Sequence, residues 1–119
     1  DADAQLSKKE SISGLEVLIL KQKDMETGGM KDYAEALRNK MQNGIVFLAN
    51  EGAGKVTFVC ACSKAAIAKG LKAGDLVKAA AQLTGGNGGG RPDMAQAGGR
   101  DVSKLDAAIE EVRKRIQNA

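Results

Sequence analysis

Three short apolar runs, Leu15–Leu20, Ile45–Ala49 and Val56–Cys62, limit the architectures open to this 119-residue chain. Each is short, rich in strand formers and mostly continuous rather than alternating, the pattern of strands covered on both faces. The second and third flank Asn50–Lys55, which is turn material, so these two are expected to pair as a hairpin. Helical spacing fills the intervals. Met30, Tyr33, Ala34, Leu37 and Met41 recur on one face, with Asp32, Glu35, Arg38 and Lys40 on the others. Asn43-Gly44 then offers the residues that a left-handed helix end prefers. Ser63 suits the N-cap of a short helix over 64–69. A further helix starts at Gly74-Asp75 and turns Leu76, Val77, Ala80 and Leu83 inward. Val102, Leu105, Ile109, Val112 and Ile116 form the stripe of a final helix, supported by Glu110–Lys114 and Glu111–Arg115 at i,i+4. The expected fold is mixed α/β (α+β), a small sheet with helices packed against it, of single-domain size. Residues 1–13 are polar and read as a linker or the end of a preceding helix; residues 14–119 form the globular domain.

Composition narrows the chemistry. The chain has no histidine, which removes Ser-His-Asp catalysis, histidine general bases and histidine metal ligands together. No catalytic residue and no metal ligand is assigned. Its aromatics are Tyr33, Phe47 and Phe58, 3% of the chain, too few for a surface that stacks many bases on aromatic rings. A formal charge of +3 permits nucleic-acid binding without requiring it. Cys60 and Cys62 lie two apart in a strand, so both face the same way. A disulfide between them has poor geometry and a metal site lacks further ligands, leaving buried thiols in a reducing compartment. Asp1–Glu10 has no apolar signal-peptide core, and no run approaches the ~20 residues of a membrane helix. A soluble, cytoplasmic protein with no membrane partner is expected.

The unusual segment is Gly85–Arg100, in which five of the six residues Gly85–Gly90 are glycine. Such a run is expensive to order and is useful where a ligand approaches bare backbone or where φ is positive. The residues suggest an anion or nucleotide cradle: a glycine-rich loop over 85–99 whose N–H groups converge, with a helical turn starting at Pro92 adding its dipole. Arg91 and Arg100 bracket the loop and suit phosphate oxygens, while Gln96 suits a base edge or ribose. No Gly-Lys-Ser/Thr follows the glycines and a helix, not a strand, precedes them, so neither a P-loop nor a dinucleotide fingerprint is present.

The string Gly88–Gly99, Gly-Gly-Gly-Arg-Pro-Asp-Met-Ala-Gln-Ala-Gly-Gly, resembles the C-terminal signature of alanyl-tRNA synthetases, as do Val59–Lys64, Gly70–Asp75 and the final helix. Looser versions occur in the related DHH-associated domain of phosphoesterases that cut oligonucleotides and cyclic dinucleotides. The resemblance implies a DHH-associated-type fold and a C-terminal domain that grips the outer corner of tRNA-Ala, where the D and T loops meet. It places Gly85, Gly86, Gly88, Gly89, Gly90, Arg91 and Arg100 at that corner, with Gln96 beside them. Charging with ATP and magnesium, and zinc-dependent editing, would belong to the other domains of the parent ligase, which are the expected partners; this fragment would hold no cofactor and do no chemistry. A helical segment before such domains often helps bacterial enzymes dimerise. Here it is absent or reduced to 1–13, so dimerisation of the fragment is not expected. The alternatives are the substrate-binding half of a DHH-type phosphoesterase and a stand-alone nucleic-acid module, DNA included.

Overall fold

A computed structural model describes residues 2–119. Its described part opens with helix α1 (Ala2–Leu6) and strand β1 (Glu10–Ile12), where the sequence suggests a linker or the end of a preceding helix; Asp1 lies outside the described residues. Strand β2 (Leu15–Lys23), helix α2 (Met30–Asn39), strand β3 (Gly44–Gly52) and strand β4 (Lys55–Cys62) follow. Helices α3 (Lys64–Ala68) and α4 (Ala73–Leu83), strands β5 (Asn87–Gly90) and β6 (Met94–Gly99), and helix α5 (Leu105–Gln117) complete the chain. The strands form one sheet in the order β1-β2-β3-β4-β6-β5. Among the described strands only β2 and β3 run parallel, joined through α2 as parallel strands require; the other neighbours are antiparallel. The expected mixed architecture, a sheet with helices packed on it, is the one observed.

Both faces of the sheet's centre are buried, which explains the unbroken apolar runs. On one face Leu15, Val17, Ile45, Phe47, Phe58 and Cys60 meet α4 and α5 through Leu76, Val77, Ala80, Leu105, Val112 and Ile116. On the other, Leu18, Leu20, Val46, Leu48, Val59 and Ala61 meet α2 through Met30, Ala34 and Leu37. The β3–β4 hairpin is tighter than the sequence suggests, because Ala53 and Gly54 both take positive φ (54° and 75°). That is the geometry of a two-residue turn matched to strand twist. The strands therefore run to Gly52 and start again at Lys55, within the stretch expected as a loop.

Two expectations fail for identifiable reasons. Helix α2 stops at Asn39 and not at Asn43-Gly44. Gly44 is already paired with Glu16 in the parallel ladder, and the Gln42 N–H donates to the Glu16 carboxylate at 2.7 Å. Leu83, expected inside, is 44% exposed. Thr84 is buried in its place, its hydroxyl donating back to α4 carbonyls at Ala80 and Ala81. Of the two expected pairs on α5, Glu111–Arg115 forms at 2.9 Å.

Cys60 and Cys62 are both buried on the same face with their sulfurs 3.8 Å apart. Burial, with the neighbouring Cys62 thiol, pushes the Cys60 thiol well above its ordinary range. Both thiols are therefore expected to resist a thiol reagent at neutral pH in the native protein and to react together once denaturant is added. Rapid labelling of the folded protein would contradict that burial.

Candidate nucleic-acid interface

The glycine segment is a hairpin of two strands, not a loop. Helix α4 ends in a Schellman turn: Gly85 takes φ +72°, the Gly86 N–H bonds to the Ala81 carbonyl at 2.8 Å, and the Gly85 N–H to the Gln82 carbonyl at 3.4 Å. The chain then enters β5, pairing Asn87 with Gly98, Gly88 with Ala97, Gly89 with Gln96 and Gly90 with Ala95. Most of these glycines make room for protein. A side chain on Gly86 would overlap the Gly98 carbonyl, and one on Gly88 would overlap Ala97. One on Gly99 would overlap Thr84, and one on Gly74 in α4 would press on the Gly90 carbonyl at 2.7 Å. Gly88 and Gly90 also take φ of 154° and 150°, conformations that L residues rarely adopt. Together these glycines let α4 lie directly on the hairpin.

Gly89 differs. It has nothing within 4 Å of where a side chain would start. It belongs to the same sheet face as Gln96 and Val59, whose Cα positions pair across the ladder. That face is covered by α2 over β3, β4 and the start of β6, with Leu6 of α1 packed on the same core, and it emerges from under the helix toward β5. Thr57, Gln96, Gly98, Asn87 and Gly89 lie on the uncovered part, exposed or half-buried. Among the described residues the Thr57, Gln96 and Asn87 side chains have no hydrogen-bond partner within the protein.

The cradle expected from sequence does not form. Residues 91–93 are a strand-to-strand turn with no helical turn after Pro92. The Arg91 and Pro92 carbonyls instead accept from Gly74 N–H (3.2 Å) and Ala73 N–H (2.8 Å), filling the N-terminus of α4. Arg91 and Arg100 do not converge either. They stand at opposite ends of β6, separated by roughly 17 Å of strand. Arg91 pairs with Asp93 at 3.2 Å, at the exposed tip. The Asp93 carbonyl is fixed from behind by the Cys62 N–H (3.0 Å) and by Arg38 of α2 (3.2 Å). Arg100 lies at the other end, its Nε donating to the Gly85 carbonyl at 3.4 Å.

At the Arg100 end the open face deepens into a cleft of about 360 Å³, lined by Lys55, Thr57, Gly86, Gln96, Gly98 and Arg100 among others. Lys55 and Arg100 place two cations at its rim, with bare backbone on its floor. Gln96, Gly86 and Arg100, which stand out in the sequence, meet here. Lys55, Thr57 and Asn87 escape sequence reasoning. The signal that could have found the first two is parity, since 55 and 57 share the alternation of Val59 and Ala61 on β4.

A DHHA1 domain family model matches residues 14–118. An alanine–tRNA ligase of Acetivibrio thermocellus is 40% identical over 116 residues, 98% of this chain and 13% of that protein. The chain thus spans only a small part of the ligase it matches. The crystal structure of the C-Ala domain from Aquifex aeolicus alanyl-tRNA synthetase superposes with a TM-score of 0.84 at 25% identity, covering 92% of this chain and 98% of that one. A DHH domain described as belonging to a family of ribosomal proteins shares the fold at TM-score 0.68 and 12% identity, over 98% of this chain and 29% of its own.

Proposed function

The chain belongs to the DHHA1 domain family, in the form typified by the C-Ala domain of alanyl-tRNA synthetase, and on that premise we propose that it holds tRNA-Ala for an alanine–tRNA ligase. The outer corner of the tRNA, where the D and T loops meet, lies against the open face of the β5–β6 hairpin. The observation that supports this most is the sheet face left uncovered beyond α2: glycine backbone at Gly89 and Gly98, unpartnered polar side chains at Gln96, Asn87 and Thr57, and cations at Lys55 and Arg100. Bare backbone lets ribose and base edges approach closely, the polar side chains meet 2′-hydroxyls and base edges, and the two cations hold phosphates.

The division of labour follows. Charging with ATP and magnesium, and zinc-dependent editing, belong to other domains of the ligase, and this domain improves both by keeping the tRNA in place. It carries no cofactor. Arg91, tied to Asp93 at the far tip, makes a peripheral contact at most, whereas Lys55 and Arg100 are central. Lys55→Ala and Arg100→Ala are each expected to weaken tRNA-Ala binding by about ten-fold and to lower the dependence of log affinity on log salt by about one. Thermal stability stays unchanged, since both side chains are on the rim. Unaltered affinity in both variants would remove the cleft from the interface. The alternative of a general nucleic-acid module is separated by duplex DNA: the corner reading expects weaker DNA binding than tRNA binding, the module reading equal affinity.

A further inference from the structure

Beside the cleft lies a second cavity of about 310 Å³, at the carboxyl ends of the parallel pair β2–β3. Its walls come from the β2–α2 connection, with Asp24, Met25 and Thr27, and from the β3–β4 hairpin, with Asn50, Gly52 and Lys55. The carboxyl ends of parallel strands at a crossover are where open α/β sheets tend to take ligands, and the volume is at the small end of ligand pockets. Two residues, Lys55 and Thr57, line this cavity and the glycine cleft alike, so the two form one continuous depression.

The polar groups here divide into those already used and those left over. Asn50 is buried and spent on the loop, its carbonyl oxygen accepting the Met25 N–H at 2.8 Å and its amide donating to the Met25 carbonyl at 3.4 Å. Glu26 is spent on the Gly28 N–H at 3.1 Å. The Asp24 carboxylate, the Thr27 hydroxyl and the Lys55 ammonium have no partner among the described residues. Asp24 lies over Gly52, where the absence of a side chain leaves the carboxylate uncovered. The cavity thus offers an anionic acceptor at one wall and a cation at its mouth, with Met25, packed against the core, in its lining.

We infer that this cavity receives a single unstacked guanine of the bound RNA. Guanine presents two adjacent Watson–Crick donors, N1–H and N2–H₂, which a carboxylate accepts side by side, while its 5′-phosphate reaches the Lys55 ammonium at the shared mouth. Cytosine and uracil do not carry that donor pair, and adenine has an acceptor at N1. The inference rests on the nucleic-acid reading of the neighbouring cleft and assigns that interface a base preference at a defined place.

Guanosine 5′-monophosphate, titrated into the isotope-labelled 119-residue protein and followed through backbone amide shifts, tests it, with cytidine 5′-monophosphate as comparison. Guanosine monophosphate is expected to move the amides of Asp24, Met25, Thr27 and Lys55 and to bind about ten-fold or more tightly than the cytidine nucleotide. Asp24→Asn is expected to abolish the difference. Asparagine tolerates the positive φ of 53° at this position, and the native carboxylate makes no internal bond, so this variant keeps the fold. Equal binding of the two nucleotides, or shifts confined to residues 86–100, would overturn the inference. If tRNA-Ala still bound in that case, the interface reading would stand without its guanine pocket; guanine binding without tRNA binding would do the reverse.

Discussion

Replacing Gly86 with alanine is expected to destabilise the protein by about 3 kcal/mol and to lower its melting temperature by roughly 10 °C. The added methyl would overlap the Gly98 carbonyl, which belongs to the paired strand β6 and cannot rotate away as a side chain would. The hairpin would have to move off α4, disturbing the contact between that helix and the sheet. Gly89→Val, three residues on, is the informative contrast. No atom stands within 4 Å of its new Cβ, and valine suits a strand, so stability should change by no more than about 0.5 kcal/mol. Affinity for tRNA-Ala should nevertheless fall about ten-fold, because the isopropyl group stands on the face the RNA approaches. Calorimetric melting and a binding titration of the two variants separate the glycines that serve the fold from the one that faces solvent. A Gly86→Ala variant melting like the wild type would contradict the close packing of β5 on β6.

The second large effect lies in the core. Phe47 is fully buried, with its ring 5.7 Å from that of Phe58 across the β3–β4 ladder and the α4 and α5 side chains behind it. Phe47→Ala is expected to cost about 3–5 kcal/mol, the loss of an aromatic side chain plus the cavity it leaves. Domains of this kind have about 5–15 kcal/mol in all, so urea denaturation should show a much lower midpoint with a similar slope. Leu83→Ala, at a leucine left 44% exposed, should move the midpoint far less. An equal response of the two variants would mean that Phe47 is not where the structure places it.

The sheet's centre is readable from composition along the chain. Continuous apolar runs at Leu15–Leu20, Ile45–Ala49 and Val56–Cys62 mean strands with helices on both faces, and the i,i+3/i+4 stripe of the last helix gives its inner side. The hairpin at 87–99 is not readable. Glycine has low strand propensity, and in Asn87–Gly90 only Asn87 carries a side chain, too little to pattern a face. This strand exists because β6 pairs with β4 and because α4 lies close on top, a tertiary cause with no local trace. The same blindness makes Arg91 and Arg100 the brackets of one loop: proximity in an expected loop becomes separation along a strand. Leu83 is misplaced because periodicity cannot show that the Schellman turn at Gly85 ends α4 with Thr84, not Leu83, turned inward. Within the candidate site, the glycines, Gln96 and Arg100 stand out by composition, whereas Lys55, Thr57 and Asp24 have no unusual context in sequence and become notable only when the sheet brings their ends together.

A titration of the 119-residue protein with full-length tRNA-Ala, against an acceptor-stem minihelix that lacks the corner, tests the central claim most directly. Binding to the whole tRNA, weakened by salt and by Gly89→Val and absent for the minihelix, is the result expected from the open hairpin face. Equal affinity for tRNA and minihelix, or no binding to either at low salt, would contradict it.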